Sequence, residues 1–223
     1  RQTDLASPWP WRASGLGGRT SGTLGMNWTG GSAMHPFDYL MTIASVILGL
    51  AVTDLAVSLN RLLAAGRRVR WGLLAPLAAL MAFVRILYQW WSWYLVRTVA
   101  DQLTFEMFLG AMIGAVLLFL MSAAALPDDL PETGPVDLPA SYQTHHRRFW
   151  ELYLAQWLVM NGINIWAVLR TPHGQVNWLN PGYLIGPLLV SVQFIRARWW
   201  HAGVMILMTG LYLAAYLGGQ LTP

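Results

Sequence analysis

Residues 39–59 read YLMTIASVILGLAVTDLAVSL, a run in which Asp54 is the only charged side chain. A helix rises about 1.5 Å per residue, so about twenty apolar residues match the hydrocarbon thickness of a bilayer. The run is therefore read as a membrane span. Five more apolar runs follow: Gly72–Val96, Phe105–Leu126, Phe149–Leu169, Pro181–Ile195 and Trp199–Gly218. The fifth is the shortest and is interrupted by Gly182, Gly186 and Pro187. The expected fold is all-α, a polytopic bundle of six transmembrane helices over residues 38–218.

Composition agrees with this. Of 223 residues, 56% are hydrophobic and only 11% charged, whereas a soluble domain carries about a quarter charged residues. The net charge of +4 comes from 14 arginines and no lysine. No basic stripe is long enough to follow a phosphate backbone, so nucleic acid is not an expected partner. The expected surroundings are the lipid bilayer, with a homo-oligomer or a membrane or cytoplasmic protein as further partners.

Arginine placement sets the expected orientation, because short loops bearing arginine stay on the cytoplasmic side. Arg61, Arg67, Arg68 and Arg70 follow the first run, Arg147 and Arg148 precede the fourth, and Arg196 and Arg198 separate the last two. With six spans these all fall on one side, leaving Arg97 and Arg170 on the other. Both termini are then outside, in the inner (plasma) membrane. Trp71, Trp150, Tyr153, Trp199 and Trp200 form an expected inner aromatic belt, with Trp90, Trp91, Trp93, Tyr94, Trp178 and Tyr183 as the outer one. Gly110-x-x-x-Gly114 and Gly182-x-x-x-Gly186 are spacings that permit close helix approach.

Residues 1–37 are polar and rich in Gly, Ser, Thr and Trp, and read as a disordered tail. The chain starts at Arg1, and Met26 and Met34 both precede the first apolar run, which leaves open where the native chain begins. Residues 127–148 carry Asp128, Asp129, Glu132, Asp137 and four prolines before His145-His146-Arg147-Arg148. They read as an extended cytoplasmic connector or a docking segment.

Three stretches, Ser45-Val-Ile-Leu-Gly-Leu-Ala-Val-Thr-Asp54-Leu, Arg68-Val-Arg-Trp71 and Phe119-Leu-Met-Ser-Ala-Ala-Ala-Leu-Pro127-Asp-Asp, resemble a broad group of uncharacterised bacterial multi-pass membrane proteins. The resemblance covers the first three spans and implies no activity.

Residue types exclude much chemistry. The absence of cysteine rules out disulfides, thiolate metal sites and palmitoylation. No lysine can hold retinal. His35, His145, His146, His173 and His201 fall in loops or at span ends, so no intramembrane pair can ligate haem. Neither a His-Glu-x-x-His motif nor two facing intramembrane aspartates are present, and no cofactor or metal is expected. What remains is polar residues at membrane depth, which are costly there and hence candidates for function. Arg85 sits near the middle of the second span with Gln89 one turn outward, and Asn161 and Asn164 stand at matching heights on the fourth. Asp54 and Gln193 form an inner level, about 7 to 9 Å from the midplane. Arg85 reads either as a pathway residue or as an interhelical strut. A small transporter or channel is one expected class, a non-catalytic membrane subunit or sensor another, and a membrane enzyme the least favoured.

Overall fold

A computed structural model describes residues 36–96, 104–127, 130–131, 134–170, 175–176 and 181–218. The expected tail through residue 35, Arg97, Asp128, Asp129, Glu132, His173 and Trp178 lie outside the described residues. Six α-helices are present among them: α1 Pro36–Ala65, α2 Leu74–Val96, α3 Phe105–Ala123, α4 Leu138–Arg170, α5 Ile185–Phe194 and α6 Arg198–Gly218. The first four are long and apolar enough to cross a membrane. The all-α bundle is the fold.

Helix boundaries follow from local chemistry. Proline at the first helical position costs no hydrogen bond, and Asp38 in the first turn of α1 meets the positive end of its dipole. Gly66 ends α1 with φ of 55°, a conformation that glycine adopts without strain. The α3 N-terminus is capped by Thr104, whose Oγ1 accepts from the Met107 amide at 3.4 Å. Asp137 caps α4, accepting from the Ala140 amide at 3.0 Å. That cap explains why α4 starts eleven residues before its apolar run. The segment 127–148, read from sequence as one connector, is helical from Leu138 onward, because Pro139 lies in the first turn, where its missing N–H costs nothing.

The helices close into a ring in the order α1, α3, α4, α5, α6, α2, and α2 also touches α3 and α4 across the middle. On α1 the buried residues are Phe37, Leu40, Ala44, Leu48, Ala51, Leu55, Ser58 and Leu62. Steps of three and four place them on one face. The seam between α3 and α4 depends on glycine: a Cβ added at Gly110 would collide with the Ile163 side chain, and one at Gly114 with Met160. The second glycine pair receives a tryptophan instead. The Trp157 ring lies against Gly186, and its Nε1 donates to the Gly182 carbonyl at 3.2 Å.

Size is sorted from inside to outside. Ala44, Ala51, Ala78, Ala82, Ala111 and Ala115 are buried, while Val46, Leu50, Leu80, Leu87, Ile113 and Ile206 are exposed. Close packing between helices favours small residues, and bulky apolar groups on the outside suit a hydrocarbon solvent. A water-soluble monomer rarely exposes apolar surface so continuously.

The fifth helix differs from its expected span. α5 has 10 residues, preceded by a 3-10 turn at Pro181–Leu184. Ten residues rise about 15 Å, half of a bilayer's hydrocarbon thickness. Gly182 and Gly186 lie beside Trp157, close to the middle of the α4 apolar run, so α5 covers only the half of the bundle that leads to Arg196 and Arg198. Pro187, in the first turn of α5, keeps the α-helix from extending further toward the N-terminus, and glycine just before it favours the break.

At one end the connections are tied together. Strand β1, Val69–Arg70, pairs in parallel with strand β2, Val136–Asp137. Arg68 Nη2 donates to the Pro131 carbonyl at 2.5 Å and Nε to the Gly134 carbonyl at 3.2 Å. Arg70 pairs with Asp137 at 3.3 Å. His201, just after Arg196 and Arg198, bonds Tyr142 of α4. The arginines of all three connections therefore gather at the same end of the bundle.

If the α3–α4 seam is set by its glycines, Gly110→Val lowers stability by about 1 to 3 kcal/mol through overpacking. Gly49, which has open space beside it, serves as control: Gly49→Ala stabilises α1 by about 0.5 to 1 kcal/mol. Thermal unfolding in detergent measures both, and equal effects of the two changes would overturn the assignment.

Candidate functional site

Arg85 lies in the middle of α2 on the face that also carries Ala78, Ala82 and Gln89. That face turns inward, and Arg85 is 6% exposed. A cation in such a place needs partners from neighbouring helices, because no water competes for it. Arg85 Nη2 donates to Gln89 Oε1 at 2.8 Å and to Gln156 Oε1 on α4 at 3.1 Å. Gln156 Nε2 donates back to Gln89 Oε1 at 3.2 Å. Gln89 Nε2 in turn donates to Ser92 Oγ at 3.3 Å. Each amide thus turns its oxygen to the cation and places its nitrogen on another acceptor.

Tyrosines complete the surroundings. The guanidinium carbon stands 5.6 Å from the centre of the Tyr88 ring and 5.2 Å from that of Tyr212 on α6, within the range in which a ring face attracts a cation. These two rings are 4.8 Å apart. Tyr153 on α4 is fully buried and shares a hydrogen bond of 2.6 Å with the Tyr212 hydroxyl. The site therefore joins α2, α4 and α6.

It is incompletely satisfied. Among the described residues, Arg85 Nε and Nη1 are buried without a hydrogen-bond partner of good geometry, with the Tyr153 hydroxyl nearby. Together they carry three of the five N–H donors of a guanidinium. No salt bridge to Arg85 is present among the described residues. Burying an unpaired donor costs about 1 to 3 kcal/mol, and more when it is charged. An acceptor, above all an anionic one, would recover that cost.

Only part of the sequence-predicted set meets here. Arg85 and Gln89 do. Asn161 is half-buried and donates to the Trp157 carbonyl of its own helix at 2.8 Å, and Asn164 is exposed. Asp54 stands half-buried on α1, and Gln193 half-buried on α5, where its Nε2 lacks a partner. The residue that sequence reasoning missed is Gln156. Its signal was periodicity: Tyr142, Phe149, Tyr153 and Gln156 form the buried stripe of α4. At about 100° per residue, Asn161 and Asn164 are turned about 140° and 80° from Gln156. Matching height without matching face misassigned them as neighbours of Arg85.

A second polar cluster stands at the arginine-rich end. Trp150 Nε1 donates to the Tyr142 hydroxyl and to His201 Nδ1, both at 3.1 Å. Tyr142 OH lies 3.0 Å from the same Nδ1, and His201 Nε2 is 2.9 Å from the Ile195 carbonyl. An indole can only donate and a carbonyl only accept, so the imidazole carries its proton on Nε2. Tyr142 lies outside the apolar run of α4, and burial pushes its phenol up to about 12. It remains a neutral donor at physiological pH. This cluster locks the start of α6 against α4 and leaves no reactive group open. No group of three or more metal-ligating side chains occurs among the described residues.

Protein-family models, curated proteins and solved structures were compared with the chain, and none matches. The site must be read from its own geometry.

The hydrogen-bonding assignment predicts that Gln156→Leu, which removes the Gln156 hydrogen bond that ties Arg85 to α4, lowers stability by about 1 to 3 kcal/mol. Asn164→Leu, at an exposed position, shifts it by no more than about 0.5 kcal/mol. Unfolding midpoints in one detergent would distinguish them, and a larger loss from Asn164→Leu would reject the assignment.

Proposed function

We propose that this chain is a multi-pass protein of the bacterial inner (plasma) membrane that binds a small anion, such as a carboxylate, at Arg85 in the course of transport. The observation that carries the reading is the pair of unpartnered, buried nitrogens on a cation placed between α2, α4 and α6. A purely structural arginine would be held by a carboxylate or by carbonyls on all its edges. Here one edge is fixed by Gln89 and Gln156, which orient the guanidinium and leave the remainder for a ligand.

The tyrosine faces favour binding by excluding water and lowering the local dielectric, so one charge–charge contact counts for more than it would in solution. Small transporters place substrate near the bilayer midplane between helices, and Arg85 occupies the middle of its apolar run. Glutamine amides and tyrosine hydroxyls offer orientation without a nucleophile or a proton-transfer pair, which favours binding and passage over catalysis.

The arginine-rich end is read as cytoplasmic, with α1, α2, α3, α4 and α6 crossing fully and α5 crossing half the thickness. α4 has 33 residues, about 50 Å at the helical rise, so its polar beginning at 138–148 stands beyond the hydrocarbon on that side. The N-terminus is then outside.

Binding is tested on purified protein in detergent by thermal shift with acetate, lactate, succinate and chloride. A small carboxylate raises the unfolding midpoint of the native chain and does not shift Arg85→Met. Met removes the buried charge at a saving of about 2.5 kcal/mol or more on insertion scales, so the variant itself unfolds no lower. A shift that survives in Arg85→Met would place the ligand elsewhere, and no shift with any anion would refute the reading. Orientation is tested separately, and cleanly, because the chain has no cysteine. Thr144 is exposed, and Thr144→Cys is expected to resist an impermeant thiol reagent in intact cells and to react once the membrane is opened. Labelling in intact cells would invert the topology.

A further inference from the structure

Away from Arg85, at the arginine-rich end, a cavity of about 300 Å³ opens between the start of α2, the end of α3 and the polar beginning of α4. We infer that it is a binding site for a phosphate group, on a lipid headgroup or on a soluble phosphate compound.

The two walls differ in character. On the bundle side stand small apolar residues, Ala75 of α2 with Ala124 and Leu126 at the end of α3. On the other side Ser141, His145, His146 and Arg148 project from successive turns of α4. Steps of four and three residues bring Ser141, His145 and Arg148 to one face, and His146 flanks it. Among the described lining residues no carboxylate appears, and Arg148 makes no salt bridge among the described residues. Its neighbour Arg147, by contrast, is paired with Glu151 at 2.7 Å and does not line the cavity.

Histidine geometry supports an oxygen-rich ligand. His145 Nδ1 is 3.0 Å from the Ser141 carbonyl, and His146 Nδ1 is 2.8 Å from the Gln143 carbonyl. Carbonyls only accept, so both Nδ1 atoms carry hydrogen and both Nε2 atoms remain for a ligand. A monoprotonated phosphate can donate to one such nitrogen while its charged oxygens accept from Arg148 and Ser141, matching both donor and acceptor needs. Arginine holds phosphate well because its planar fork meets two oxygens at once.

Helix ends contribute in both senses. The first turn of α2, at Ala75, presents a positive dipole end, and the last turn of α3 a negative one. Each is worth about half a charge, so they offset, and Arg148 carries the full charge among the described lining residues. A free phosphate ion fills only part of this volume, since pockets near 300 Å³ suit whole small molecules. The apolar wall of Ala75, Ala124 and Leu126 fits the glycerol portion of a phospholipid, and basic pockets between helices on the cytoplasmic side suit anionic headgroups.

The experiment uses the full chain in nanodiscs of neutral phosphatidylcholine, titrated with phosphatidylglycerol in one arm and with inorganic phosphate or glycerol 3-phosphate in the other. The unfolding midpoint and native mass spectrometry report occupancy. Binding by phosphatidylglycerol, weakened at least tenfold in Arg148→Gln and retained in Arg147→Gln, supports the site with lipid as the source. The same pattern with the soluble phosphates alone supports it with a soluble source. Arg148 is exposed, so the variant is expected to unfold at the native midpoint. If it does not, His145→Gln provides the same comparison. Absence of binding in both arms, or equal losses in Arg147→Gln and Arg148→Gln, overturns the proposal. Arg85→Met is expected to leave this binding intact, so failure here and failure at Arg85 are told apart.

Discussion

One buried guanidinium constrains how α2, α4 and α6 can meet. Arg85 cannot be hydrated where it lies, so each neighbouring helix must present something a cation tolerates. α2 supplies Gln89 one turn away, α4 supplies Gln156, and α6 supplies the face of Tyr212. Rotating α4 by one residue, about 100°, would withdraw Gln156 and set an apolar side chain against the charge. The arginine therefore specifies helix register in a bundle whose outer surfaces are otherwise interchangeably apolar. Such specification has an energetic cost, because a buried charge seldom adds net stability.

A different force joins α3 to α4. There the contact is steric: Gly110 and Gly114 remove the side chains that would hold the helices apart, and Ile163 and Met160 occupy the space. The arginine-rich end uses a third arrangement, in which β1 and β2 pair, Arg68 spans to two carbonyls, and the Tyr142, Trp150 and His201 cluster joins α4 to α6. Polar links are abundant at that end, where water can reach the exposed groups, and are confined to inward faces in the middle. This gradient is what a bilayer would impose, since unpaired polar groups cost most at its centre.

How much of this the sequence made legible varied with the type of signal. Apolar length read α1 to α4 well, because hydrocarbon thickness and helical rise leave little freedom. For α5 it gave the place but not the length of regular α-helix, since the run at 181–195 divides into a 3-10 turn and a helix of 10 residues. It also missed the polar start of α4, since the capping by Asp137 is a local hydrogen bond that hydropathy does not register. At the site, depth was legible and azimuth was not. Counting residues from the middle of each run singled out Arg85, whose side chain the structure buries between helices. Which face of α4 turned toward it depended on the stripe Tyr142, Phe149, Tyr153 and Gln156, and two asparagines at the right height drew attention from it. Tyr88 and Tyr212 carried no signal in their apolar runs, and Tyr153, read as part of the inner aromatic belt, is instead fully buried against Tyr212.

Rigidity and responsiveness are thereby divided between two sides of the ring. The α3–α4 seam gains from contact at every glycine and has one good arrangement, since dense packing responds to displacement with steep repulsion. The α2–α4–α6 junction leaves donors on Arg85 without a partner among the described residues, so its hydrogen bonding is less complete. A ligand can shift a conformational balance only by the difference in its affinity for the two states. Contacts that are already saturated, such as Gln89 to Ser92 or Tyr153 to Tyr212, offer much less. The incompletely bonded arginine is thus the place where the three helices are held by polar contacts rather than by close packing.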